Sequence, residues 1–376
     1  MSAPWACNRL RQFWDMPKTL TIRDEAVTID YRRVLWLWGE GVALMASIKD
    51  VADAAGVSTA TVSRVLSGKP HIRPEVRERV LAAVEQLNYR RSRVAQSLRA
   101  QRSNTIGLIV ADIQNPYFTS VSRAVEDMAY GHDMTVFYCN SDENPEKEAM
   151  YLDLMRAENV AGIILAPTNR TAASLAEIVD PAIPLVLIDR HAQGLDVDTV
   201  LIDNVDSAHR IVRHLLDDGY RRIGAIFGRG STTGRERCDG YMLALRECGL
   251  EPSADLHRFV AAREQDGYQE AMRLMDLPER PDCIFASNGL LAAGAFRAIR
   301  ERRLAVPGDI GFAAFDKTTW TTLIEPAITV IEQPTYEIGQ IAMDLLLNRI
   351  ADRARPIREV TLKARLLVRR SCGCHS

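Results

Sequence analysis

Residues 48–66 read IKDVADAAGVSTATVSRVL. Ile48, Val51, Ala52 and Ala55 recur at i, i+3, i+4 and i+7, which gives a short helix one apolar face. Gly56 can take a left-handed backbone at no steric cost and ends that helix sharply. Ser58 then offers a hydroxyl to the free amides of a second helix running to about Leu66, with Val62, Val65 and Leu66 inward. Two short helices around a glycine turn form a helix-turn-helix pattern. The outer face of the second helix lacks the Glu and Lys of an ordinary surface helix. It carries Ser58, Thr59, Ala60, Thr61, Ser63 and Arg64. Small side chains let a helix approach base edges, hydroxyls reach phosphates or bases, and Arg can grip guanine through two hydrogen bonds. A plain helical hairpin would show the same apolar pattern, so the motif needs support from its surroundings.

That support lies on either side. Residues 74–87, PEVRERVLAAVEQL, predict a third helix with Pro74 in its first turn and Val76, Val80, Ala83, Val84 and Leu87 inward. Between Ala46 and Asn104 there are eleven cations and five acids, a net +6, in a chain of 376 residues whose net charge is −2. Positive charge gathered on one small segment is the footprint of a phosphate-binding module. Residues 90–102, RRSRVAQSLRAQR, set Leu98 among Arg93, Gln96 and Arg99, with Val94 and Ala95 as helix formers. Such a short helix is marginal in water and would form when docked on DNA, with Leu98 wedged into a minor-groove base step.

These motifs, in this order, carry a resemblance. IKDVADAAGVSTATVSRVLSG, a third helix ending LNY, and then VAQSLRAQRSNTIGLIVADIQNPYF resemble the LacI/GalR family of bacterial transcription regulators over roughly residues 46–372. The resemblance implies that Thr59 and Ala60 hold the main base-reading positions with Arg64 beside them, and that Leu98 and Arg99 form a minor-groove lever. Arg93, Ala95 and Gln96 belong to the same DNA-binding hinge segment. The chain has Arg91-Ser92, Gln96 and Ser67 where the family often has Pro-Asn, Arg and Asn, so a different start to the hinge and one fewer phosphate contact are expected.

After Arg102 short apolar runs alternate with amphipathic stretches: residues 105–110, 134–138, 161–165, 185–188, 222–227, 282–286 and 310–315. This is the pattern of parallel sheets covered on both faces, and seven or more strands suit two doubly wound lobes. In such folds ligands sit beyond the carboxyl ends of strands. The resemblance implies a periplasmic-binding-protein-like core, crossing between lobes near Asn204, near Gln333 and again near the C-terminus. The expected divisions are an extension over 1–44, a helix-turn-helix domain over 46–90, a hinge over 91–104 and the core over 105–372. Lobe 1 would take about 105–203 and 333–361, and lobe 2 about 204–332 and 362–372.

Strand ends carry the candidate effector contacts: Tyr117 and Phe118 in NPYF, Asp189 and Arg190 in VLIDR, Arg237, Asn288 in FASN, and Asp316, Lys317 and Trp320 after GFAAF. Carboxylates, an amide, Arg and an aromatic face hold a sugar through hydroxyl hydrogen bonds and ring stacking. The resemblance puts Asp189, Arg237, Asn288 and Asp316 at effector positions, with Gly289 where the family usually has Asp. The cations Arg190, Arg237 and Lys317 tilt the expectation towards a sugar acid over a neutral sugar. The loop over 228–234 lacks the spacing of a phosphate loop and reads as a turn connecting lobes.

The rest excludes more than it assigns. Seven scattered cysteines fit reduced thiols in a cytoplasmic protein. Cys372-Gly373-Cys374-His375 reads as a frayed tail and not a metal site, for want of a partner cluster. No cofactor, membrane span or catalytic constellation is expected. Residues 1–44 hold four of the five tryptophans and match nothing downstream; a poorly ordered addition or an over-extended reading frame is expected there. The leading reading is a dimeric repressor that binds double-stranded operator DNA under control of a sugar or sugar-acid effector, with a sugar-binding transport component as the alternative.

Overall fold

The computed structural model describes residues 19–22, 25–28, 46–66, 68, 72–89, 103–169, 175, 177–192 and 194–373. They fall into two compact units, Met1–Arg99 and Ala100–Ser376. The hinge candidates Arg93, Ala95, Gln96, Leu98 and Arg99 lie outside the described residues.

In the first unit, β1 (Thr19–Ile22) pairs antiparallel with β2 (Glu25–Thr28). These two strands lie within the extension expected over 1–44. Three helices follow: α1 (Ile48–Ala55), α2 (Thr59–Leu66) and α3 (Pro74–Gln86). Their shared core is Val51, Ala52 and Ala55 from α1, Val62 and Val65 from α2, and Val80 and Ala83 from α3. Seven buried side chains, none larger than Val, make a small core, so caps and turn geometry weigh heavily in holding it together.

The second unit contains two six-stranded sheets with matching orders. The first is built from β3 (Thr105–Val110), β4 (Thr135–Asn140), β5 (Gly162–Leu165), β6 (Leu185–Ile188), β7 (Asp198–Ile202) and β13 (Glu359–Leu362), in the order β13-β7-β6-β5-β3-β4. The second is built from β8 (Ile223–Gly228), β9 (His257–Val260), β10 (Cys283–Ala286), β11 (Gly311–Phe315), β12 (Thr329–Glu332) and β14 (Arg365–Leu367), in the order β14-β12-β11-β10-β8-β9. Position by position the two orders correspond, and all pairings are parallel except β12 with β14.

Side chains alternate between two faces along each strand, so central strands feed a core on each side. In lobe 1, Ile106, Leu108, Val186 and Ile188 enter one cluster, whereas Ile109, Ile163, Leu165, Leu185 and Leu187 enter another. Lobe 2 repeats this, with Ala225 and Phe227 against Ile226, Phe312 and Ala314. Helices α4 (Pro116–Gly131), α5 (Pro145–Ala157) and α11 (Thr335–Ala351) serve the first sheet. Helices α6 (Asn204–Asp217), α7 (Thr232–Glu247), α8 (Glu264–Met275) and α9 (Gly289–Glu301) serve the second, with a short α10 (Trp320–Leu323) after β11. The chain passes between lobes three times: from β7 into α6, from β12 into α11, and from β13 into β14.

Candidate functional site

The helix-turn-helix is fixed by local hydrogen bonds before any packing is counted. Ser47 caps α1: its Oγ accepts from the Asp50 amide at 3.3 Å, and the Asp50 carboxylate accepts from the Ser47 amide at 2.7 Å. This reciprocal box satisfies two amides at the helix start, and the Ser47 bonds hold the Asp50 carboxyl below its ordinary range. Gly56, at φ 62°, ends α1, and the Val57 amide closes the turn on the Ala52 carbonyl at 3.0 Å. Ser58 caps α2 through the Thr61 amide at 3.2 Å. With Val62 and Val65 buried, the outer side of α2 presents exposed Ser58, Ala60 and Arg64 and half-buried Thr59, Thr61 and Ser63. Lys49, Arg73, Arg77 and Arg79 stand exposed on the same unit. A narrow apolar face opposite a small, hydroxylated, cationic face is suited to a groove of DNA.

The second site lies within the core unit, where the carboxyl ends of both sheets face one another around a cavity of about 140 Å³. Of the nine effector candidates, Tyr117, Phe118, Asp189, Arg190, Arg237, Asn288 and Asp316 line it. Lys317 and Trp320 do not. The chain turns away after Asp316: Lys317 donates to Glu332 at 2.6 Å on the surface, and the Trp320 ring packs on Phe296, centroids 5.7 Å apart.

The two aspartates occupy corresponding places, each one residue past the third-position strand of its sheet, β6 or β11. Both have left-handed backbones, φ 69° at Asp189 and φ 72° at Asp316. A non-glycine residue there costs on the order of 1 kcal/mol and persists only where other bonds fix it. Asp316 is fixed twice, accepting from the Gly289 amide at 3.0 Å and from Gln333 Nε2 at 2.6 Å. Asp189 accepts from Arg190 Nε at 2.9 Å. Arg190 is buried, with its other arm forked onto both oxygens of Glu143 at 2.9 Å each. Burial works against that charge, but Asp189 and Glu143 outweigh it and hold Arg190 above its ordinary range.

Arg237 is held differently. Its Nε donates to Asn204 Oδ1 at 2.9 Å, its Nη1 donates to the Ser287 carbonyl at 2.6 Å, and its guanidinium lies 4.0 Å above the Phe315 ring. A guanidinium carries five N–H donors; two are used here among the described residues, which leaves three, two of them on Nη2, in a side chain that lines the cavity. Asn288 caps α9 through the Leu291 amide at 2.8 Å, which fixes its carbonyl oxygen and turns its amide nitrogen to other partners. The Tyr117 hydroxyl is pushed far up by burial and stays protonated, able to donate.

Several lining residues carried no sequence signal of their own. Glu143 and Gln333 line the cavity as partners of Arg190 and Asp316, and Asp112, Arg229 and Arg263 stand at the rim. The loop over 228–234 does not connect lobes: it joins β8 to α7 inside lobe 2, and Ser231 and Thr233 line the cavity from it. Ser231 also caps α7, its Oγ accepting from the Gly234 amide at 3.1 Å.

Residues 47–92 match the family described as bacterial regulatory proteins, lacI family, and residues 103–370 match the periplasmic binding proteins and sugar binding domain of the LacI family. The chain belongs to the LacI family. It is therefore a DNA-binding transcriptional regulator with an effector-binding core. It is 35% identical to the HTH-type transcriptional regulator KdgR of Bacillus subtilis over 86% of this chain and 97% of that one. It is 33% identical to the HTH-type transcriptional repressor PurR of Edwardsiella ictaluri over 87% and 97%. Among solved structures it is similar to the lac repressor dimer bound to operator and an anti-inducer, with a TM-score of 0.76 and 26% identity over 87% of this chain and 99% of that one. A cellobiose complex of the regulator CelR superposes with a TM-score of 0.65 at 26% identity over the same shares. Among the described residues no helix is long and apolar enough to cross a membrane.

Proposed function

We propose that this LacI-family regulator is a homodimeric repressor whose operator binding is switched by a neutral, polyhydroxylated effector, a sugar and not a sugar acid. It acts by binding and not by catalysis. The observation that carries the effector class is the pairing of cleft cations. Arg190 is neutralised by Asp189 and Glu143, and Lys317 is paired with Glu332 outside the cleft. Arg229 and Arg263 are exposed at the rim, beside Asp112 and Asp142. In the buried part only Arg237 remains to meet a ligand, against Asp189 and Asp316. A bound carboxylate would face two fixed carboxylates; ring hydroxyls can donate to both while accepting from Arg237 and Asn288. The cation excess that favoured an acid in the linear sequence is thus removed by folding. The family's sugar-binding core and the cellobiose held by CelR support the same class.

At the operator, Thr59, Ala60 and Arg64 read base edges, and Ser58, Thr61 and Ser63 supply hydroxyls near phosphates. Arg93, Ala95, Gln96, Leu98 and Arg99 form the hinge contacts, with Leu98 as the wedge. Mobility-shift titrations with DNA upstream of the chain's own coding region, repeated over a panel of neutral sugars and sugar acids, test both halves. A sequence-specific shift altered by a neutral sugar is expected. A shift altered only by an acid overturns the effector class, and the absence of any specific shift overturns the repressor.

A further inference from the structure

Cys372 was set aside in the sequence because no partner cluster stood near it in the chain. Folding supplies one. His214, in the last turn of α6, brings Nε2 to 3.2 Å from Cys372 Sγ, across 158 positions of sequence. The same Nε2 lies 3.2 Å from Oδ2 of Asp218, four residues on. The three donor atoms all lie within 4.8 Å of one another. We propose that His214, Asp218 and Cys372 form a binding site for a zinc-class divalent cation, remote from the effector cleft and the DNA-reading helix.

Donor chemistry and spacing both argue for it. Thiolate, imidazole and carboxylate are the three ligand types zinc combines, and three protein ligands leave a fourth position for water. Bond lengths of about 2.3 Å to sulfur and about 2.0–2.1 Å to nitrogen or oxygen put tetrahedral donors roughly 3.4–3.6 Å apart. The two 3.2 Å separations about His214 Nε2 need a small outward movement, and Cys372 Sγ and the Asp218 carboxylate, within 4.8 Å of each other, close on the ion by about 1 Å at most. The sulfur is held from a rigid base: Ser371 Oγ donates to the Phe312 carbonyl at 2.6 Å and accepts from the Thr329 amide at 2.8 Å, which locks the turn Arg370–Cys372 to β11 and β12. Thr329 Oγ1 lies 3.1 Å from Sγ, and the Arg369 carbonyl accepts the thiol hydrogen at 3.2 Å. The carbonyl contact is given up with the thiol proton, whereas the Thr329 hydroxyl can turn to donate to the thiolate and orient it as an outer partner does. The thiol proton leaves to solvent when the cation binds. Cys372 is buried while Asp218 is exposed, so an ion can enter from the Asp218 side. Binding would pin the C-terminal turn to α6, the first helix after the first lobe crossing.

The test uses the full, reduced chain titrated with zinc by calorimetry and with cobalt by absorption. One ion per chain and a thiolate-to-cobalt charge-transfer band are expected. Cys372→Ser and His214→Gln should lose the band. Asp218→Asn, a surface change that leaves packing intact, should weaken zinc at least ~tenfold. Excess zinc should raise the melting temperature of the unaltered chain and not of these variants. A chain with Cys374 and His375 both replaced by Ala should keep the band. The proposal fails if the reduced chain takes up no metal. It also fails if uptake survives Cys372→Ser and Asp218→Asn but vanishes when Cys374 and His375 are replaced.

Discussion

Arg190 and Arg237 show how little a residue type says before its partners are known. Both are buried arginines at the mouth of parallel strands, and in the linear chain they count equally as cations for a ligand. Arg190 forks onto Glu143 and reaches back to Asp189, so its charge is consumed within the protein. Arg237 rests on Phe315, Asn204 and a carbonyl, none of them charged, and keeps its full charge for what enters the cavity. Arg237→Ala should therefore cost the effector two charge-assisted hydrogen bonds, about 3 kcal/mol, or roughly two orders of magnitude in affinity. Operator binding without effector should persist, because the DNA-reading face belongs to a separate unit. Calorimetry paired with operator titration checks this; effector affinity within a few-fold of the unaltered chain would show that Arg237 only braces the fold.

At the scale of elements, close helix approach limits what the chain can substitute. Helices α8 and α9 cross where Gly294 meets the backbone of α8: a Cβ added there would run into the Glu264 carbonyl oxygen and come within 2.7 Å of the Tyr268 amide. Gly294→Ala should destabilise the core by about 1–3 kcal/mol, as overpacking does, seen as a lower urea midpoint with unchanged slope. An unchanged midpoint would mean the helices separate freely. Elements also mark what could be read in advance. The strands in the seven apolar runs stand where those runs lie, because buried parallel strands need continuous apolar sequence. Three of the strands without a run have physical reasons for it. Asp198 opens β7 and is buried against Arg349 and the Arg358 amide, so an interior strand begins with a charge. The edge strands β9 and β13 alternate or lie half exposed, HRFV and EVTL, and lack an apolar signature. The site was legible at strand ends, as at Asp189 and Asp316, one residue past β6 and β11, and at Asn288, two past β10. It was not legible at Lys317 and Trp320, where the chain bends out of the cleft, nor at Glu143 and Gln333, whose role exists only through a partner distant in sequence.

For the whole molecule, the question is how a small ligand could be felt at a distance. An effector shifts an equilibrium only if it contacts two lobe arrangements differently. The cleft residues are joined to the crossings where such arrangements must differ. Arg237 donates to Asn204, the first residue of α6 past the first crossing, and Asn204 in turn donates to Glu236 at 2.8 Å. Asp316 accepts from Gln333, which stands at the second crossing between β12 and α11. A hydroxyl that draws on Asp316 therefore competes for an oxygen that also holds a crossing in place. Gln333→Leu keeps the volume and removes the tie, leaving Asp316 its bond to the Gly289 amide. Effector affinity should change only a few-fold, since one of the two bonds orienting Asp316 survives. The ratio of operator affinities with and without effector, on the order of 5–150-fold for coupled sites of this kind, should fall towards one. Operator titrations at zero and saturating effector measure that ratio. If it stays at the unaltered value while effector still binds, the second crossing is a passive strap and the signal leaves the cleft through Arg237 and Asn204 alone.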